Sequence, residues 1–506
     1  MDVPSKRNLV LLFLAGFTLS LLEPVILLAM GRDIASALWP MANRALDVTY
    51  FLRDWRTEVF ALFLVILPFI IIKANNSSKI QKIIATILIG ISFGLLLIYS
   101  LLNLAYLRDA FVLLPTSIAI VLLCSLLVAG GLPKNPFKPS ESRFSESFHL
   151  VLVAFAVWLI SPGLTAMAGM LPSPPELELS DGQYDVITTA YEYPMPEEVS
   201  SIQGDYEEDV VFSVYLSIPK NVEHEMPLAI ILHGFANPFF ESYVDWVEEL
   251  SSRGMAVAFI QYPSDVMPPG YDTYTLHEEA GMSNHPYHIP RAVAIDAALD
   301  FMSTIIPSNV NSDHLLIGGH SLGAGYALLA LDWALGNGLG SESLFVDLEA
   351  PYARPVQDHL QINLDGIPDE FIAHVVISED DMSVSDCFGV YHQSLLGEDA
   401  LFIEVPSDRY GFPRLVASHY LQATETHDTL ADWGFYRRVA SQADWLVARN
   451  IGDEMMASNA ESLLVDSEEL RYMGEWSDGT PVKELNTWDD ALNSTQFEHC
   501  KSWTGS

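Results

Sequence analysis

The sequence predicts an α-helical transmembrane region followed by an α/β domain, and three observations predict it. Five long apolar runs crowd the first 170 residues, the charge balance reverses just beyond them, and from there short apolar runs alternate with amphipathic ones.

The apolar runs lie near 9–30, 58–72, 83–103, 110–131 and 148–170. About 20 apolar residues cross a bilayer core, so the runs are expected as about five transmembrane helices, the second borrowing from its flanks. A cleaved signal peptide is the rival reading of the first run, which follows Lys6 and Arg7. It is long for such a segment, and no small-x-small cleavage site closes it. Glu23-Pro24 interrupts that run, either as a functional intramembrane carboxylate or as the cap of a kink. Eight Lys and Arg fall on one side of a five-span topology and five on the other. That asymmetry predicts a multi-pass protein of the cell membrane with its acidic half outside.

Residues 1–170 hold 13 Lys and Arg against 9 Asp and Glu; the totals of 25 and 65 leave 12 against 56 for the rest. An excess this acidic excludes nucleic acid as a partner, because phosphates are repelled. It fits the hydrated, halophilic type of surface, on which salt screens the self-repulsion. Three cysteines, Cys124, Cys387 and Cys500, make neither a disulfide framework nor a zinc ligand set. Free buried thiols are the expectation for the last two, with a Cys387–Cys500 bridge as the alternative.

Proline, serine and acidic residues mark 171–183 as a linker to an α/β domain spanning 184–506. Within it 209–219 alternates like an exposed strand and 228–234 is continuously apolar like a buried one. "ESYVDWVEELSSRG" reads as a helix closed by Gly254, then "MAVAFIQYP" as a strand, 289–306 as a helix, 313–321 as a strand and 323–335 as a helix. Strands "SLFVDLEAP", "EFIAHVVIS" and "ALFIEVPS" and the helix "LADWGFYRRVASQADWLVA" complete the series. Such alternation builds a mainly parallel sheet with helices on both faces. Loops are expected at 264–288 and 382–399, where they shape a pocket, and periodicity does not place them. The first carries His277, Glu278, Glu279, His285 and His288, a mouth-lining loop rather than a metal site.

Ser321 falls where strand "HLLIG" turns into helix "AGYALLALDWAL". Gly319-His320-Ser321-Leu322-Gly323 is the G-x-S-x-G spacing of a nucleophile elbow. So tight a turn strains the central residue, and the flanking glycines remove the clashes that side chains would cause. A serine hydroxyl needs a base, and the chain order that goes with this elbow is serine, acid, histidine. Glu379, Asp380 and Asp381 follow a late strand, and Asp347 follows the strand before it. His419 lies in the loop after the last strand, ahead of His427, which adjoins a helix start. The oxyanion donors are expected to be the N–H groups of Leu322 and of Phe235, the latter in "ILHGFANP". His233 and His320 are expected to be structural.

"LHGF", "GGHSLGAG", "ISEDDMSV" and "ASHY", in this order across residues 184–450, resemble the α/β-hydrolase superfamily. The segment 472–485 is similar to the C-terminal part of its dienelactone-hydrolase, chlorophyllase and polyester-hydrolase-like members. The resemblance selects Asp381, three residues after Ser378 and three before Val384, although Ser378 stands where the family has glycine. It implies a serine hydrolase of carboxylic esters with Ser321, His419 and Asp381 as its triad and Asp380, Asp347 and His427 as alternatives; the apolar runs, which the resemblance does not cover, make the expected enzyme membrane-anchored. No cofactor and no metal is called for, and the partner is an ester or lipid-like small molecule. A peptidase, thioesterase or acyltransferase with the same triad, or a non-catalytic membrane receptor or transport-associated protein, is the alternative.

Overall fold

The computed structural model describes residues 6–29, positions 80, 82–87, 90, 91 and 94, and residues 172–503. Within the last range it leaves out 178, 180–181, 203–209, 267–287, 353–361, 382, 398, 409, 412–414 and 422–426. The chain divides into two compact units, Met1–Ser173 with Arg409–Arg414, and Pro174–Asp408 with Leu415–Ser506.

In the first unit the opening apolar run forms two helices, α1 (Lys6–Ser20) and α2 (Leu22–Ala29). The break has a covalent cause: Pro24 has no N–H to give the carbonyl of Ser20, so the helical ladder loses a rung there. Leu21 donates to Thr18 at 3.1 Å, a tightened turn, and the Ser20 hydroxyl donates to the Phe17 carbonyl at 2.7 Å. At 1.5 Å per residue α1 covers about 22 Å, short of a bilayer core of about 30 Å. Among the described residues no helix is long and apolar enough to cross a membrane. The expected transmembrane region is corrected on that ground, and with it the multi-pass, membrane-embedded placement it supported. Runs 58–72, 110–131 and 148–170 lie outside the described residues, as does the side chain of Glu23. Of the run at 83–103 only a few positions are described, helical through 82–87.

The second unit is built on a nine-stranded mixed sheet. Its strands are β1 (Val186–Glu192), β2 (Ser213–Pro219), β3 (Met226–Leu232), β4 (Ala256–Ile260), β5 (Val310–His320), β6 (Ser343–Glu349), β7 (Phe371–Ser378), β8 (Ala400–Val405) and β9 (Asn486–Trp488). They lie in the order β1-β2-β4-β3-β5-β6-β7-β8-β9. The six from β4 to β8 run parallel, whereas β1, β2 and β9 pair antiparallel. Helices α3 (Val244–Ser252), α4 (His288–Ile305), α5 (Leu322–Gly336), α6 (Asp386–Leu396), α7 (Arg437–Ile451) and α8 (Glu454–Glu461) join and cover the strands.

All seven residues of β3 are buried, as its unbroken apolar run requires of a strand covered on both sides. Leu228, Ile230 and Leu232 pack into the core beneath α4, α5 and α6. Ala229 and Ile231 pack into the other, beneath α3 and α7. From β3 the chain passes to β4 on one side, then returns to β5 on the other. This reversal lies at the carboxyl ends of β3 and β5, the position at which ligands bind in sheets of this kind.

From Pro174 on, the described residues of the stretch expected as a linker belong to the sheet unit. The Pro175 carbonyl accepts from Thr429, Leu179 packs against the core, and Tyr184 N–H donates to Ser252. The segment 382–399 is largely α6 rather than a loop. Cys387 at the start of α6 is bonded to Cys500, so the expectation of two free thiols is corrected to a disulfide.

Candidate active site

β5 delivers the chain to Ser321, whose φ of 55° and ψ of −118° put a non-glycine residue in the left-handed half of backbone space. A residue stays there only where its neighbourhood holds it. Ser321 N–H donates to the Glu349 carbonyl at 2.8 Å, and Ser321 O accepts from Gly325 and Tyr352. The flanking glycines are required by close approach. A Cβ on Gly319 would stand 2.5 Å from the Gly323 carbonyl carbon, and one on Gly323 would stand 2.3 Å from the Leu232 carbonyl oxygen. The first clash lies within the turn, as the spacing predicts, while the second is with the end of β3.

His419 comes from the loop after β8, 98 residues on, and its Nε2 stands 2.9 Å from Ser321 Oγ. Its Nδ1 stands 2.7 Å from Asp381 Oδ2. A carboxylate only accepts, so Nδ1 carries the proton and Nε2 is left to accept from the serine hydroxyl. Asp381 lies just past β7, and its Oδ1 accepts from the N–H groups of Ser383 and Val384 at 2.8 and 3.0 Å. Burial alone would raise the Asp381 carboxyl, but His419 and the two amides together hold it below the ordinary aspartate value. All three side chains are buried.

The alternatives fall elsewhere. Asp380 Oδ2 accepts from the Ser407 hydroxyl at 2.6 Å while its N–H donates to Ala417 O, so it ties the His419 loop to the sheet. Asp347 lies under α7, where Arg438 approaches it at 3.4 Å and Gln442 at 3.0 Å. His427 is half-exposed, stacks on Tyr436, and faces Asp432 at 2.8 Å. It is Asp381, and none of these three, whose carboxylate stands at hydrogen-bond distance from His419 Nδ1.

Leu322 is the first residue of α5, so its N–H lacks an intrahelical acceptor. Phe235 occupies the turn after β3 and is 40% exposed. Among the described residues neither N–H is engaged, which leaves both available to a developing oxyanion. His233 is buried, with Nδ1 on the Gly234 carbonyl at 2.7 Å and Nε2 accepting from Tyr262 N–H at 3.1 Å. Burial pushes it down to about 4, so it stays neutral and shapes the loop.

Tyr243, Ser264, Arg291 and Glu349, which also support the site, carry no signal in the sequence. Tyr243 lies in a single 3₁₀ turn, Phe240–Tyr243, ahead of α3, and Glu349 reads as one more strand residue. Of the five histidine and acidic residues singled out in the loop 264–288 only His288 is described. It is buried at the start of α4, its Nδ1 2.6 Å from the Tyr326 hydroxyl, while His277, Glu278, Glu279 and His285 lie outside the described residues.

Among the described residues, Asp386, Cys387, His499 and Cys500 are grouped with potential ligand atoms within 4.8 Å of one another. Both sulfurs are spent on the disulfide, which leaves one carboxylate and one exposed imidazole, a staple rather than a metal centre. No family model and no curated protein matches the chain.

Proposed function

We propose that the sheet unit is a serine hydrolase of the α/β-hydrolase type that cleaves carboxylic esters through an acyl-enzyme. The observation that carries this reading is the Ser321–His419–Asp381 chain of hydrogen bonds, 2.9 and 2.7 Å long, raised on a strained turn at the carboxyl end of β5.

Ser321 Oγ attacks the ester carbonyl carbon as its proton passes to His419 Nε2. The carbonyl oxygen takes up the negative charge, and the N–H groups of Leu322 and Phe235 hold it. Collapse of this intermediate breaks the bond to the alcohol oxygen, which leaves with the proton from His419. Water then attacks the acyl-serine and gives its proton to His419, and the acid departs as Ser321 recovers its hydrogen. Asp381 keeps the imidazole in the required tautomer and stabilises its cationic form.

A fluorophosphonate probe and a panel of short-chain p-nitrophenyl esters test this reading. Wild-type protein is expected to be labelled at Ser321 and to release p-nitrophenol, and Ser321→Ala to lose both by more than about a thousandfold. An unlabelled, inactive wild type overturns it. Products formed with added alcohols separate hydrolysis from acyl transfer.

A further inference from the structure

The two amides that flank the Phe235 donor are both pinned. Behind it, Ala236 takes a positive φ of 53° and donates its N–H to Ser264 Oγ at 2.9 Å; the Ser264 carbonyl in turn accepts from Arg291 Nε at 2.7 Å. Ahead of it, Gly234 N–H donates to the Tyr243 hydroxyl at 2.8 Å. That hydroxyl also lies 3.3 Å from His320 Nδ1, and His320 Nε2 lies 2.8 Å from the carbonyl oxygen of His419.

The directions of these bonds follow from chemistry. A carbonyl only accepts, so the proton of His320 sits on Nε2 and its Nδ1 must accept. The Tyr243 O–H is then the donor to Nδ1, and its lone pair is left for Gly234 N–H. One polarity runs through the chain: Gly234 N–H to Tyr243, Tyr243 O–H to His320, His320 N–H to the His419 carbonyl. Its two ends are the oxyanion loop and the base loop, and His320, the residue beside the nucleophile, is the link between them.

Burial, reinforced by the charge of His419, pushes the His320 ring down to about 3, so it stays neutral and takes no proton when His419 becomes cationic. Burial raises the Tyr243 phenol, which keeps its proton. The His320 and His419 rings lie 4.8 Å apart, so His320 braces the base by its ring as well as by its N–H. Gly234 makes room for the junction, since a Cβ there would stand 3.2 Å from His320 Nδ1 and 3.3 Å from the Tyr243 hydroxyl.

We propose that Tyr243 is a positioning residue that, through His320, fixes the oxyanion loop and the base loop relative to Ser321; the role rests on the serine-hydrolase reading above. Tyr243 touches no reacting atom. Its hydroxyl sets how closely the Phe235 amide and the His419 ring hold the geometry needed in the transition state, where small displacements cost rate rather than substrate binding.

Tyr243→Phe keeps the ring, which packs 5.3 Å from that of Phe259, and removes only the hydroxyl. With a p-nitrophenyl ester it is expected to lower kcat ten- to a hundredfold while KM changes less than threefold. Fluorophosphonate labelling of Ser321 is expected to slow in parallel. If this variant does not fold, His320→Leu carries the test, because it removes both the acceptor for the Tyr243 hydroxyl and the donor to the His419 carbonyl; the same loss of kcat at near-constant KM is expected. An active wild type beside a variant with kcat within twofold of it overturns the positioning role alone. A wild type that turns over no ester and is not labelled at Ser321 overturns the functional reading and this role with it.

Discussion

Asp380 and Asp381 stand side by side on one turn, yet only Asp381 reaches His419. Asp380 holds Ser407, whose hydroxyl accepts from Ala417 N–H, so the loop that carries the base hangs from one carboxylate while the base itself is oriented by the other. A side-chain amide in place of Asp381 would present an N–H where the tautomer requires an acceptor. Asp381→Asn is therefore expected to lower kcat by roughly 10³- to 10⁴-fold at neutral pH, with KM little changed, in a steady-state ester assay. The folded carboxyl titrates below its unfolded value, so its contribution to stability is present above about pH 4 and is lost as pH falls through the folded value. Urea titrations of wild type and Asp381→Asn at pH 7 and at pH 3 are expected to differ more at the higher pH.

Between elements, α7 is fixed to the sheet by Arg438, which is buried and reaches both Asp347 and Glu349 of β6, with His374 of β7 3.1 Å away. Burial pushes the Glu349 carboxyl up, against the pull of Arg438, to about 8. Its folded value thus exceeds its unfolded one, and between about pH 4 and 8 the native state holds a proton that the unfolded chain does not. Stability contributed by this group therefore falls as pH rises through that window. Glu349→Gln is expected to flatten the decline in melting temperature between pH 5 and 8; a slope equal to wild type refutes this. The elements that frame the site were legible because burial on both faces leaves unbroken apolar runs, as in β3, and because the elbow's glycines are dictated by backbone contact. α6 was not: Cys387, Phe388, Val390, His392, Gln393 and Leu396 bury most of its circumference, so no polar stripe betrays a helix. β1 is almost wholly exposed and β9 is three residues long, which leaves neither a half-buried alternation to read. In the first apolar run the signal of the break at Leu21 is Glu23-Pro24, not a drop in hydropathy, because the missing bond is a property of Pro24 rather than of polarity.

Across the whole sheet unit, the C-terminal segment closes the molecule from its far edge. β9 pairs with β8, Phe402, Trp488 and Phe497 pack ring to ring, and Gln393 of α6 gives its amide to the carbonyls of Ala400, Trp488 and Asp489. The Cys387–Cys500 bond seals this arrangement across a separation of 113 residues. In the loop-entropy account a closure of that span restricts the unfolded chain enough to stabilise the fold by roughly 4–5 kcal/mol, an upper bound because the other anchors remain. The bridge lies past Ser383 and Val384, whose amides hold Asp381, and those bonds do not depend on it. Replacing both cysteines by serine is thus expected to separate stability from chemistry. The urea midpoint falls well below that of wild type, while kcat at 25 °C stays within about twofold. Equal midpoints would show that the segment is held without the covalent tie. A large loss of kcat in still-folded protein would show instead that the start of α6 sets the position of the acid.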